Sequence, residues 1–178
     1  IDVPMADVRT LSNGIKLYKL DCTDQHVVRV SFVFRAGTSI QKAPFTASST
    51  INLLSEGTAK RTAYQIAEAL DFHGSYYDVS LDRDYAVVSF VALSRFFPQT
   101  MELARELLLE PSFPEDEVMI YREKRKQRFA EGRSKVAVEI RELFTHELFG
   151  EKHPYGESYP ESADDNVPRE RVQECYVQ

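Results

Sequence analysis

Residues 46–61 read T-A-S-S-T-I-N-L-L-S-E-G-T-A-K-R, and the way this stretch starts and stops organises the rest of the chain. A run from about Phe45 to Leu54 is long enough for a helix and ends at Ser55-Glu56-Gly57-Thr58. Gly57 suits the left-handed conformation that closes many helices, and Thr58 then starts the exit. Thr62 and Gln65 follow with the Thr-x-x-Gln spacing of a capping box, which opens the next helix. Helix, corner and capped helix form a structural unit that needs no chemistry to explain it.

Working outward, Val28, Val30, Phe32 and Phe34 alternate with Arg29, Ser31 and Arg35, the pattern of a half-buried strand. Asn13-Gly14 is a two-residue hairpin signal between strands at 8–11 and 15–20. A second strand pair, 75–81 and 85–93, flanks Asp82-Arg83-Asp84. Together these predict an antiparallel sheet of four or five strands. Helices are expected at about 44–55, 62–73, 95–109, 114–131, 135–148 and 168–177, with Pro111 and Pro114 marking the joint between the third and fourth. Strands gathered early and helices massed later imply an α+β fold, an antiparallel sheet covered on one face by helices. The polar segment 154–168 reads as a loop.

A chain of 178 residues fits one domain and buries roughly 70% of its unfolded surface. No apolar stretch approaches the ~20 residues needed to cross a bilayer. The net charge of −6 argues against nucleic-acid binding. Arg122, Lys124, Arg125, Lys126, Arg128, Arg133 and Lys135 nevertheless load one helix with positive charge, and a solvated face is the reading preferred over a phosphate-binding stripe. Cys22 and Cys175 have no Cys-x-x-Cys partner, so free thiols are the default, with a disulfide between them left open. Nothing in the sequence fixes the compartment.

The corner and the following K-R-T-A-Y-Q-I-A-E-A-L-D-F-H-G resemble the signature of the insulinase/pitrilysin family of zinc metallopeptidases, which includes mitochondrial processing peptidase. Four further stretches carry the same resemblance in order: L-S-N-G-I-K-L-Y-K-L-D, V-R-V-S-F-V-F-R-A-G-T, S-F-P-E-D-E-V-M-I-Y-R-E-K-R-K-Q and L-F-G-E-K-H-P-Y-G. The resemblance implies the metallohydrolase fold of that family. In its catalytic members the helix before the corner carries His-x-x-Glu-His. Counted back from Gly57, the two histidine positions hold Ser48 and Asn52, and the glutamate position holds Ile51.

Zinc hydrolysis needs imidazole or carboxylate ligands and a carboxylate base beside the metal-bound water. Serine and asparagine are poor zinc ligands, and isoleucine takes no proton. The resemblance places a third ligand, a glutamate, on the long helix after the sheet. Phe129 or Ala130 falls there, and Glu131 is reached only by shifting the alignment. The histidines at 26, 73, 146 and 153 have no pair at ligand spacing. His146-Glu147 starts like His-Glu-x-x-His, but Gly150 ends the match. A structural role is expected for each, with an unusual metal site using His73, His146 or His153 the weakest alternative. His73, just before Gly74, is expected to interact with helix-terminal carbonyls.

Family members work as pairs of similar halves, one with zinc and one without. The resemblance therefore implies a non-catalytic half that helps enclose an extended peptide, with zinc in a homologous catalytic partner half. A structural subunit like the core proteins of respiratory complexes is the alternative. No peptide-contacting residue is nominated. The chain starts at Ile1 and stops where the family's domain continues, so residues 1–178 are read as one domain cut short at its C-terminal end, expected to self-associate. Restoring Ser48→His, Ile51→Glu and Asn52→His is expected to leave the helix intact and bind zinc weakly at most.

Overall fold

The computed structural model describes residues 5–21, 25–133, 136–159, 163 and 167–177. Cys22, Lys135 and much of the 154–168 loop lie outside these, and with Cys22 the question of its disulfide. Strands β1 (Asp7–Thr10) and β2 (Lys16–Lys19) form the hairpin that Asn13-Gly14 predicts, paired Asp7 with Lys19 and Thr10 with Lys16. Gly14 at the turn takes a φ of 84°, and Asn13 Oδ1 accepts the Ile15 amide. A second, three-stranded sheet has the order β3-β5-β4, with β3 at Val27–Phe34, β4 at Tyr76–Leu81 and β5 at Ala86–Leu93.

The single sheet of four or five strands expected above is thus two sheets among the described residues. The alternation of β1 and β2 says which side chains share a face, but not which backbone lies alongside. Every residue of these two strands is exposed, whereas β5, at the centre of its sheet, is buried or half-buried throughout.

In the larger sheet the register sets Val30 opposite Phe90 and Phe90 opposite Tyr77, so Val28, Val30, Phe32, Val88, Phe90, Tyr77 and Val79 share one face. The helices are α1 (Thr46–Leu53), α2 (Ala63–Phe72), α3 (Phe97–Leu109), α4 (Glu115–Arg133), α5 (Val136–Phe149) and α6 (Arg169–Val177). Helices α1, α2 and α3 pack on the sheet, α4 and α6 pack on α1, and α5 on α4. Leu53, Ile66, Leu107, Phe113, Val118 and Val172 from or beside these helices join Val88 and Phe90 in one core. The opposite sheet face is polar at its middle, where Ser31 and Ser89 hydroxyls bond at 2.8 Å. Among the described residues α5 adds none to the core, and it exposes Val136, Ile140, Leu143, Phe144 and Leu148.

The capping box of α2 is present as its spacing requires: Thr62 Oγ1 accepts the Gln65 amide, and Gln65 Oε1 accepts the Thr62 amide at 3.0 Å. Before α1, residues 37–39 lie against the β4–β5 turn through Gly37 N to Asp84 O, Thr38 N to Asp82 O and Ser39 N to Arg83 O. A Cβ on Gly37 would sit 2.3 Å from the Arg83 carbonyl oxygen. That neighbour is backbone and has little freedom to move. Gly37→Ala is expected to cost about 1–3 kcal/mol, read as a lower urea midpoint with an unchanged circular-dichroism spectrum.

Candidate functional site

Helix α1 is dense in side chains that bond back to their own helix. Ser48 Oγ donates to the Phe45 carbonyl at 2.9 Å and Asn52 Nδ2 to the Ser48 carbonyl at 2.8 Å. Thr50 Oγ1 donates to Thr46 O at 2.8 Å and also reaches Val172 O on α6 at 3.2 Å. Short polar side chains fold back this way because the i−4 carbonyl is within reach. Ile51 points elsewhere, into the core, and is 4% exposed. Ser48 and Asn52 are half-buried neighbours on the helix, but each is turned to a backbone carbonyl.

Across from α1 stands α4. Val118 is buried and Tyr121, Arg125 and Phe129 are half-buried, at spacings that put them on one helical face. Tyr121 Oη donates to the Ser48 carbonyl at 3.2 Å. The Phe129 ring meets that of Phe45 edge-on at 5.9 Å. Of the three positions weighed for a distal ligand, Phe129 faces α1, Ala130 is exposed, and Glu131 accepts from Gln127 on its own helix at 3.1 Å. These residues do not fit a zinc ion: two poor ligands are engaged elsewhere, and an aliphatic side chain and an aromatic ring occupy the remaining positions. Among the described residues no three His, Cys, Asp or Glu side chains converge as a metal site.

The histidines stay apart. His73 lies between the rings of Phe72 at 5.2 Å and Phe96 at 5.3 Å, so ring packing replaces the carbonyl contact expected of it. His153 stacks on Phe149, and its Nδ1 accepts the Tyr155 amide at 3.1 Å. His146 is 3.9 Å from Glu147 on α5, and His26 is exposed before β3. The basic residues of α4 do not make one stripe. Arg125 turns inward, Lys126 pairs with Glu123 at 3.8 Å, and Arg128 lies over the Tyr121 ring, 5.9 Å from its centre.

The corner itself is held by a buried carboxylate that sequence reasoning missed. Glu106, on α3 and 6% exposed, accepts from Thr58 Oγ1 at 2.5 Å and pairs with Arg61. Thr58 Oγ1 also accepts the amides of Lys60 at 3.1 Å and Arg61 at 2.9 Å. The available signal was a charged residue among the apolar positions Leu103, Ala104 and Leu107. Gly57 takes a φ of 158°, which is not the helix-closing left-handed value expected but is still a positive φ that side-chain-bearing residues rarely adopt, and a Cβ there would also meet Pro114 Cγ at 2.8 Å and Ser112 Oγ at 3.0 Å.

Beside this corner, a cleft of about 490 Å³ opens between α2 and β4, lined by Glu56, Tyr64, Leu70, Asp71, Tyr76 and Tyr77 among others. Burial raises the Glu56 carboxyl above its ordinary value, Glu117 adds to this, and Lys124 opposes it. Burial likewise raises the Tyr77 phenol. β4 pairs only with β5 among the described residues, and its first two residues, Tyr76 and Tyr77, line this cleft.

The fold and the corner define an α+β peptidase-like domain with a helix where a metal motif would stand. A family model described as insulinase, peptidase family M16, matches residues 46–159. The chain belongs to that family. Among solved structures it is similar to a peptidase M16 inactive domain from Pseudomonas fluorescens, with a TM-score of 0.89 and 20% identity over 96% of this chain and 42% of that one. A protease from Helicobacter pylori gives a TM-score of 0.82 and 14% identity over 98% of this chain and 43% of that one. The ferredoxin protease FusC, in complex with Arabidopsis ferredoxin, gives 0.77 and 16% over 97% of this chain and 19% of that one. The chain therefore spans less than half the length of these structures. A search of curated proteins finds no match.

Proposed function

We propose that this chain is a non-catalytic peptidase-like domain that helps enclose an extended peptide while a homologous partner half carries zinc and cleaves. The observation that carries the reading is α1: Ser48 and Asn52 are tied to backbone carbonyls and Ile51 is in the core. The neighbour described as an inactive domain supports it, as does β4, whose second edge pairs with no strand among the described residues and whose first residues line a cleft. An extended peptide adds to such an edge by backbone hydrogen bonds and needs little sequence in common.

Two measurements on the purified protein test this together. Elemental analysis is expected to find no stoichiometric zinc, and a labelled extended peptide is expected to bind while its backbone N-methylated form does not. One tight zinc per chain, lost on changing Ser48 or Asn52, overturns the non-catalytic part. Equal binding of the two peptides overturns the edge-strand part.

A further inference from the structure

Glu56, in the turn after α1, is half-buried yet takes no part in holding the corner, which Glu106 does. Among the described residues its carboxylate forms no ion pair and no hydrogen bond. Burial and the nearby Glu117 raise it above its ordinary value, and Lys124 offsets that only in part. A half-buried charge without a partner is costly, and this one lines the cleft between α2 and β4.

The rest of the lining matches one kind of ligand. The cleft holds about 490 Å³, within the roughly 300–1,000 Å³ of sites that bury a small ligand. Asp71, on α2, brings a second carboxylate to its wall. Tyr64 from α2 and Tyr76 from β4 also line it and are 76% and 62% exposed, so their rings are open to a ligand. Ala67 and Leu70 add apolar wall.

An anionic ligand meets two carboxylates here. A purely apolar one strips water from Glu56 and gives nothing in return. A cation on an apolar stem suits the whole lining: the charge goes to Glu56 and Asp71, tyrosine ring faces attract it, and the stem lies along Ala67 and Leu70. Arginine and lysine side chains are built this way, and the planar guanidinium stacks on aromatic rings better than an ammonium does. Tyr76 opens β4, so a peptide lying along that strand passes the cleft.

We propose that the cleft between α2 and β4 is a specificity pocket for a basic side chain, arginine above all, of a peptide lying along β4. The peptide part rests on the function proposed above; the pocket does not, and the two are tested apart.

The pocket is tested with N-acetyl-arginine amide, titrated into isotope-labelled protein and followed by amide chemical shifts. Ala67, Ser75 and Tyr76 are expected to shift progressively, and N-acetyl-citrulline amide, neutral and of the same shape, is expected to bind about tenfold more weakly. Glu56→Gln, which removes no ion pair from the fold, is expected to erase that difference, and Lys124→Met to widen it. Equal binding of the arginine and citrulline amides overturns the pocket, as does a preference that survives Glu56→Gln. The peptide is tested with two labelled extended peptides that differ only in one arginine or citrulline, the arginine form being expected to bind about tenfold tighter. Peptides that bind equally well overturn the pocket and leave the peptide-enclosing reading standing. Binding of the arginine amide with neither peptide bound supports the pocket and overturns that reading.

Discussion

Replacing Arg61 by methionine is expected to lower stability by about 3 kcal/mol, because it strands a buried carboxylate. Glu106 is 6% exposed and has Arg61 as its cationic partner, with Thr58 Oγ1 supplying one further hydrogen bond at 2.5 Å. Removal of the guanidinium leaves one neutral donor against a full negative charge away from water. The figure is below the upper end for fully buried pairs because the Arg61 side chain is 40% exposed. The loss is specific to stranding the charge: in an Arg61→Met/Glu106→Leu protein much of the stability is expected to return, since the apolar neighbours Leu103 and Leu107 accept a leucine. Urea unfolding of the single and double variants checks both. If the double variant is less stable than Arg61→Met alone, the corner is held by the carboxylate's bonds to Thr58 rather than by neutralisation of its charge.

Local pattern was legible in the sequence and distant pairing was not. The capping box at Thr62 and Gln65 joins residues three apart, and the hairpin at Asn13-Gly14 is set by its own turn, so both were readable. The six helix bounds fall within two residues of the periodic signal for the same reason. The corner was placed correctly and the positive φ of its glycine is local, but the crowding of Gly57 by Pro114 and Ser112 comes from more than fifty residues away. Glu106 and Arg125 reach their partners across 45 to 80 residues, and no periodicity encodes that. Arg125 in particular looked like one of several solvated basic residues on α4. Its inward turn follows from the face it shares with Val118, Tyr121 and Phe129, a face identified only once α1 is in place.

The reconstruction of the full motif on α1 has to contend with the same packing. Ser48→His, Ile51→Glu and Asn52→His together are expected to destabilise the fold by about 3–5 kcal/mol, contrary to the reading that the helix would tolerate them. The cost is concentrated at position 51. Ile51 is 4% exposed and belongs to the core that includes Leu53, Leu54, Phe90 and Val172. Among the described residues the core packed with Ile51 is apolar, so a carboxylate placed there is either desolvated as an anion or forced to take a proton. Volume is a lesser part of the effect. Ile51→Val, which removes one methylene and no charge balance, is expected to cost only about 1 kcal/mol. Ser48→His/Asn52→His is expected to lie nearer to that value, because both positions are half-buried at the seam and their side chains bond to the nearby carbonyls of Phe45 and Ser48. Urea midpoints for the four proteins order these effects. A triple variant that unfolds at the parent's midpoint shows that the Ile51 side chain can leave the core without cost. In that case α1 would be free to present position 51 towards the seam, and the packing argument against a rebuilt metal site would fail.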